Sequence, residues 1–510
     1  MWDFFIEGAQ LALRLDTFMM MSVGLLLGIL VGALPGFTTT MALAILLPIS
    51  FFLDPLVGIP FLIGITKGGI FGGSIPAILV SIPGTGASVA TTFDGPALTK
   101  KGQSRKAMEM ALFASVFGDT ASDIITILFI APIALVALSF GPPELGAIIL
   151  LSLVVISASA TGAFVKGLLM LAIGLFFGLV GQDPLGGVAR FTFDFFPLRS
   201  GIPLLPMLIG VFALPEVFEA VERKTAALAA KLPARAGPRL TWAEFRRCLR
   251  TILRSTAIGT VIGAIPGMGQ VIAAMVGYAA AKNASKHPET FGKGELEGIA
   301  APEAANNAVN GPTLVPLLTL GIPGDNLTAI LLGAFVAHGL RPGPQLFAEQ
   351  GAIVFAILVA MVLANALFLV IGYATIPLFA RVVTIRQSLL LPLTVIFAMT
   401  GAYIYQSDPF DLIIMLFFGV FGYVAKKLAF DVSPMVMAFI LGPVLEYSLG
   451  QTLSLAQGEF LRFIFVERPI TAAALAATPV VTYLLWRRAA RLRRERAARA
   501  AREGTPAAGG

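Results

Sequence analysis

The sequence predicts an all-α, polytopic membrane protein of roughly 12 transmembrane segments, built as two internal repeats that contain broken helices or re-entrant hairpins. Three observations predict it. Of 510 residues, 57% are hydrophobic and only 13% are charged, whereas a water-soluble domain carries about 25% charged residues. Apolar runs of the length that crosses a hydrocarbon core of about 30 Å recur along nearly the whole chain. A glycine–proline pattern found in the first half returns in the second.

In chain order the apolar runs lie near 17–33, 41–52, 60–80, 108–140, 145–159, 164–180, 202–214, 255–280, 315–336, 352–380, 389–405, 412–424, 434–449 and 470–486. Several are too short to span, so they read as re-entrant hairpins or as halves of broken helices. Ahead of the first run stand Asp3, Glu7, Arg14 and Asp16. That start lacks the basic region and small-residue cleavage site of a signal peptide, so the amino terminus is expected to be retained. One cysteine, Cys248, excludes an internal disulfide framework, and two distant histidines, His287 and His338, make no histidine metal site.

The net charge of +7 collects in loops and a tail, so topology explains it and no nucleic-acid partner is expected. The stretch 223–254 is dense in Lys and Arg with Glu244 as its only acid, and the tail from Arg487 to Arg502 is dense in arginine. The positive-inside rule puts both in the cytoplasm, the tail as a solvated, partly helical end near lipid head groups. The chain thus divides into a first membrane half, 1–222, a basic linker, 223–254, a second membrane half, 255–486, and a basic tail, 487–510.

The repeat is explicit. Gly28, Gly32, Ala33, Leu34, Pro35 and Gly36 read G-x-x-x-G-A-L-P-G, and Gly259, Gly263, Ala264, Ile265, Pro266 and Gly267 read G-x-x-x-G-A-I-P-G. Downstream, Pro76 with Ile82-Pro83-Gly84 is echoed by Pro316 with Ile322-Pro323-Gly324. The loop holding Lys100, Lys101, Arg105 and Lys106 is cationic, whereas the loop after the second Ile-Pro-Gly has only His338 and Arg341. That asymmetry predicts that the halves are inverted.

Proline removes a backbone donor and clashes with the preceding turn, so Pro-Gly within an apolar segment breaks a helix. Four such breaks occur, at Pro35-Gly36, Pro83-Gly84, Pro266-Gly267 and Pro323-Gly324. Unwound backbone at membrane depth must be buried in protein or line a wet cavity. After the breaks come Thr38, Thr39 and Thr40; Thr85, Gly86 and Ser88; Gly269 and Gln270; and Asp325, Asn326 and Thr328. Such residues begin helices, where free N–H groups and the dipole attract an anion and unwound carbonyls can hold Na⁺. Gly36, Thr38, Thr39, Gly84, Thr85, Ser88, Gly267, Gly269, Gln270, Gly324, Asn326 and Thr328 are therefore candidate substrate contacts. Gly28, Gly32, Gly259 and Gly263 read as close helix packing. A carboxylate would repel an anionic cargo, so Asp325 reads as a coupling-ion or cap residue.

A second constellation is Glu303, Asn306, Asn307 and Asn310, which share one face if the segment is a single helix. Its counterparts in the first half include Thr66 and Lys67, and Lys67 is a candidate partner for a substrate carboxylate. Asp119 and Asp123 sit at i and i+4 in the long apolar run, where two like carboxylates favour a shared cation and suit Na⁺ or proton coupling. Asn306 and Asn307 join the substrate candidates, and Asp119, Asp123, Glu303 and Asp325 are the coupling-ion candidates. An intramembrane aspartyl protease would need its two aspartates on separate helices, so no enzyme is expected and no catalytic residue is assigned. No Gly-x-x-x-x-Gly-Lys-Ser/Thr loop is present, so transport would draw on a gradient, with Na⁺ or H⁺ as coupling ion and no other cofactor.

Nearly the full length resembles TctA, the large membrane subunit of tripartite tricarboxylate transporters. The resemblance is carried by 28–36, by Gly72-Gly73-Ser74 through Ile82-Pro83-Gly84 to Asp94-Gly95 and Lys100-Lys101-Gly102, by 259–269, and above all by Phe291-Gly292-Lys293-Gly294-Glu295 through Ala301-Pro302-Glu303-Ala304-Ala305-Asn306-Asn307-Ala308 to Leu320-Gly321-Ile322-Pro323-Gly324. It implies import of a di- or tricarboxylate by Na⁺ or H⁺ symport in the bacterial inner membrane. It also implies two partners, a periplasmic carboxylate-binding protein and a small four-helix membrane subunit. Where that family tends to have Asp-Gly-Tyr-Pro, this chain has Asp94-Gly95-Pro96-Ala97. The large subunit of a TRAP-type dicarboxylate transporter is a rival reading; the Pro-Glu-Ala-Ala-Asn-Asn segment argues against it.

Overall fold

A computed structural model describes residues 2–159, 164–222, 237–378 and 387–503. Helices account for almost all of its regular structure: α1 (Trp2–Ala12), α2 (Leu15–Gly32), α3 (Thr39–Ser50), α4 (Pro55–Val80), α5 (Gly95–Lys100), α6 (Ser104–Ala137), α7 (Pro142–Ser159), α8 (Phe164–Gly178), α9 (Leu204–Glu222), α10 (Trp242–Gly263), α11 (Gly269–Ala284), α12 (Glu297–Asn307), α13 (Asn310–Leu320), α14 (Asn326–Ala337) and α15 (Leu346–Thr375), followed by Gln387–Gln406, Pro409–Lys427, Ser433–Leu455 and Pro469–Glu503. Among the described residues, eight helices are long and apolar enough to cross a bilayer, and five shorter apolar ones accompany them.

Local chemistry sets where the helices begin and end. Asp54 caps α4 by accepting from Leu56 N at 2.9 Å, with Pro55 at the first helical position. Thr241 and Glu244 form a reciprocal capping box on α10. The four Pro-Gly sites all interrupt helices. The expected apolar run 255–280 is thereby divided between α10 and α11, and 315–336 between α13 and α14. Part of the basic linker, 223–236, lies outside the described residues, while 242–254 forms the first half of α10. In the tail, helix continues to Glu503, and 504–510 lie outside the described residues.

The described chain forms two compact units, Met1–Ser139 with Pro203–Val424, and Phe140–Ile202 with Ala425–Gly510. At the centre of the first lies α4, whose side chains from Val57 to Ile78 are buried throughout. Its seam with α2 is made of glycines. A β-carbon on Gly28 would meet Ile65 O and stand 2.8 Å from Gly69 N, and one on Gly68 would meet Leu25 O. The two backbones touch because nothing stands between them. In the smaller unit, α7 and α8 pack against Ser433–Leu455. There a hairpin pairs β1 (Gly181–Gln182) with β2 (Ala189–Arg190), and Arg190 makes a two-pronged ion pair with Glu446.

Candidate functional site

Each break is followed by a new helix or turn. After Gly36, which has φ 85°, α3 begins with Thr38 as its cap, accepting from Met41 N at 3.1 Å. Ser81 ends α4 in the left-handed region, and Gly84 N then donates to Gly73 O at 3.1 Å. A 3-10 turn, Gly86–Phe93, follows. Past Gly267, with φ 84°, α11 starts at Gly269. Asp325 caps α14 through a box with Thr328, its carboxylate accepting from Thr328 N at 2.9 Å while its own N–H donates to Thr328 Oγ1 at 2.8 Å. The third and fourth breaks meet directly, because Gly267 N donates to Gly324 O at 2.7 Å.

A small, partly open pocket lies where those two breaks face α4. Lys67, Gln270, Asp325 and Thr328 line it, as do Thr66, Asn310 and Thr313, with Met361 of α15 on the apolar side. Thr39, Thr85 and Ser88 stand elsewhere, along the small-residue face of α4, and Thr38 serves as the cap of α3. A β-carbon on Gly69 would stand 2.8 Å from Thr39 Oγ1, and one on Gly73 would stand 2.9 Å from Ser88 Oγ, which lies 3.0 Å from Thr85 Oγ1. Two of the four breaks thus reach this cavity through their polar side chains. Asn326 follows Asp325 at the start of α14.

Lys67 meets two carboxylates of the protein itself. Its ammonium lies 2.8 Å from Asp119 Oδ2 and 2.7 Å from Asp123 Oδ2, with all three side chains at 1% exposure or less. The two aspartates project together because they are one turn apart on α6. Asn365 of α15 closes the group, accepting from Lys67 Nζ at 3.1 Å and donating to Asp123 Oδ2 at 2.7 Å. Asn310 donates to Asp119 at 3.2 Å and accepts from Gln270 at 3.0 Å. A continuous line of polar contacts therefore runs from the third break to the buried ion pairs. Buried charge in a membrane helix is tolerated only with this degree of pairing.

The expectation that Glu303, Asn306, Asn307 and Asn310 share the face of one helix needs correction. α12 ends at Asn307 and α13 begins at Asn310, since Pro312 has no N–H to return to the preceding turn. The four residues still turn toward neighbouring polar groups. Thr91 donates to Glu303 Oε1 at 2.5 Å, Ser115 to Oε2 at 3.4 Å, and Asn307 to Ser115 at 2.8 Å and to Asn306 Oδ1 at 2.7 Å. Glu303, Asn306 and Asn307 are fully buried there.

Asp94 has a separate task. Fully buried, it accepts from the N–H groups of Gly292, Gly294 and Glu295 at 2.9, 2.8 and 2.8 Å, and from Tyr278 Oη at 2.9 Å. The loop before α12 is folded around that carboxylate, with Pro96 and Ala97 following it in the first turn of α5. Asn365, Ser115, Thr91 and Tyr278 were not singled out from sequence. Of these, Asn365 carries a readable signal, a lone amide in an otherwise apolar membrane run.

Comparison with known proteins agrees over most of the length. An Agrobacterium vitis protein named "Uncharacterized 52.8 kDa protein in TAR-I ttuC' 3'region" is 37% identical over 460 residues, which cover 89% of this chain and 90% of that one. A second from the same organism, "Uncharacterized protein in TAR-II ttuC' 3'region", is 37% identical over 217 residues, 42% of this chain and 89% of that one. No solved structure matches the chain. The sequence profile of the tripartite tricarboxylate transporter TctA family matches residues 18–437, and the chain, a multi-pass membrane protein, belongs to that family.

Proposed function

We propose that this chain is the translocating subunit of a secondary active transporter that imports a di- or tricarboxylate with Na⁺ or H⁺. In this reading a periplasmic binding protein delivers the carboxylate and a small membrane subunit completes the complex in the bacterial inner membrane. The observation that carries the proposal is the pocket at the third and fourth breaks, lined by the polar residues Gln270, Thr313 and Thr328 together with Lys67. Helix starts at Gly269 and Asn326 direct N–H groups and the positive dipole end toward that region. Asp325 is already spoken for as a cap, which lessens its repulsion of an anion.

A repeat is supported by matching contacts in the two halves, and its inversion rests on the charge asymmetry of their loops. Ile82 N donates to Pro76 O, and Ile322 N donates to Pro316 O. Gly28 of α2 meets α4 as Gly259 of α10 meets Ala305 of α12. Related halves that rock about a central site are a common basis of alternating access. The coupling cation is assigned to the buried acids Asp119, Asp123 and Glu303, and the basic tail to the cytoplasm.

The test is uptake of a radiolabelled carboxylate into proteoliposomes holding this chain and its two partners. Accumulation only under an imposed Na⁺ or proton gradient supports the proposal. Uptake that ignores both gradients but requires ATP rejects it.

A further inference from the structure

The ion cluster beside the cavity does not balance. One ammonium, Lys67, faces two carboxylates, Asp119 and Asp123, and all three residues are fully buried. With each group ionised, one negative charge is left over, and an uncompensated charge in this interior costs several kcal/mol.

Among the described residues, Asp119 Oδ2 and Asp123 Oδ1 both lack a hydrogen-bond partner, and Asp119 Oδ2 faces the Lys67 ammonium. Asp123 Oδ2 is occupied by Lys67 and Asn365, each at 2.7 Å. Asp119 faces Lys67 through Oδ2 at 2.8 Å and accepts from Asn310 through Oδ1 at 3.2 Å. Like Asp123 Oδ1, Thr126 Oγ1 has no hydrogen-bond partner among the described residues, at the next position on the same face of α6 and on a residue only 2% exposed. The two oxygens border the same glycine. A β-carbon on Gly311 would stand 2.7 Å from Asp123 Oδ1 and 2.8 Å from Thr126 Oγ1, so both oxygens lie against this glycine on the first turn of α13.

We propose that Asp123 Oδ1 and Thr126 Oγ1 are ligands of a sodium ion held between α6 and the start of α13 beside Gly311, balancing the carboxylate charge that Lys67 leaves over. Hard monovalent and divalent cations take oxygen ligands of this kind, and two neighbouring oxygens without partners can share one ion. The site rests on the transport reading above and gives it a coupling route. Asn310 and Thr313, on the same turn of α13 as Gly311, line the cavity, so an ion that ties α6 to α13 also fixes the cavity wall.

The experiment is equilibrium ²²Na⁺ binding to the full-length chain in its membrane complex, at fixed ionic strength in choline chloride, paired with uptake under separate Na⁺ and proton gradients. Wild type is expected to bind saturably. Thr126→Val, which keeps shape and removes the oxygen, should weaken binding roughly ten- to a hundredfold, and Thr126→Ser should restore it. Gly311→Ala, which crowds the spot without altering charge, should weaken it likewise. Wild type that binds no sodium yet accumulates carboxylate on a proton gradient overturns the site and leaves the transport reading intact, as does binding unchanged in both Thr126→Val and Gly311→Ala. Absence of uptake under either gradient, with sodium bound as expected, instead counts against the transport reading.

Discussion

Lys67 and Asp123 face each other at 2.7 Å across the space between α4 and α6, both fully buried. Removing the ammonium therefore strands two buried carboxylates without their partner. We predict that Lys67→Met lowers stability by about 3–5 kcal/mol, the range for breaking a buried pair from one side. Lys67→Met/Asp123→Asn should recover a large part of that loss. Thermal or SDS unfolding of the detergent-solubilised variants measures it; equal destabilisation by the single and double variants would separate Lys67 from Asp123 energetically.

Asp94 gathers three backbone N–H groups and the Tyr278 hydroxyl, so the loop before α12 should loosen when its carboxylate is removed. Asp94→Ala is expected to cost roughly 2–5 kcal/mol, since charge-assisted bonds to a buried acceptor are the strong ones. Lys293, whose carbonyl accepts from Lys101 Nζ at 2.7 Å, lies inside that loop. Limited trypsinolysis should cut at Lys293 faster in the variant, with Tyr278→Phe giving a smaller increase.

The seam between α2 and α4 admits no side chain at Gly68, where a β-carbon would meet Leu25 O and stand 2.9 Å from Ile29 N. Gly68→Val should destabilise by at least about 1–3 kcal/mol through overpacking against backbone that cannot rotate away. Folded yield after membrane extraction reports it. Gly102→Ala, which meets nothing within 4 Å but sits at φ 72°, should lose far less.

The capping box of α10 carries the clearest pH signature outside the spans. Burial alone would raise the Glu244 carboxyl, but bonds from Lys106 at 2.5 Å and from the Thr241 N–H and hydroxyl at 2.9 and 2.8 Å outweigh it and hold the group at about 2. A folded-state value below the unfolded one, about 4.3, means stability that is present above pH 4.3 and lost as pH falls toward 2. The pair is partly exposed, so the expected contribution is below about 1 kcal/mol. Glu244→Gln should flatten the unfolding temperature over that window, lowering it slightly at pH 7 and changing little near pH 2.

Much of this architecture is determined locally, and for that reason the sequence alone reveals it. Long apolar runs must be membrane helices because a bilayer leaves an unpaired backbone no other partner, and Pro-Gly within such a run must interrupt the ladder wherever it occurs. The four breaks, the small polar residues after them and the cap at Asp325 follow from neighbours in sequence. The tertiary structure decided which buried polar atoms meet. Lys67 could be expected to face a cargo carboxylate as readily as Asp119 and Asp123, until α4 and α6 were brought into contact. Asn365 reaches the same group from α15 across 298 residues, and Asp94 reaches the loop at 292–295 across about 200. A hydrogen bond between distant segments depends on the distance and angle that helix packing sets, and neither quantity is encoded in the spacing of residues along one helix.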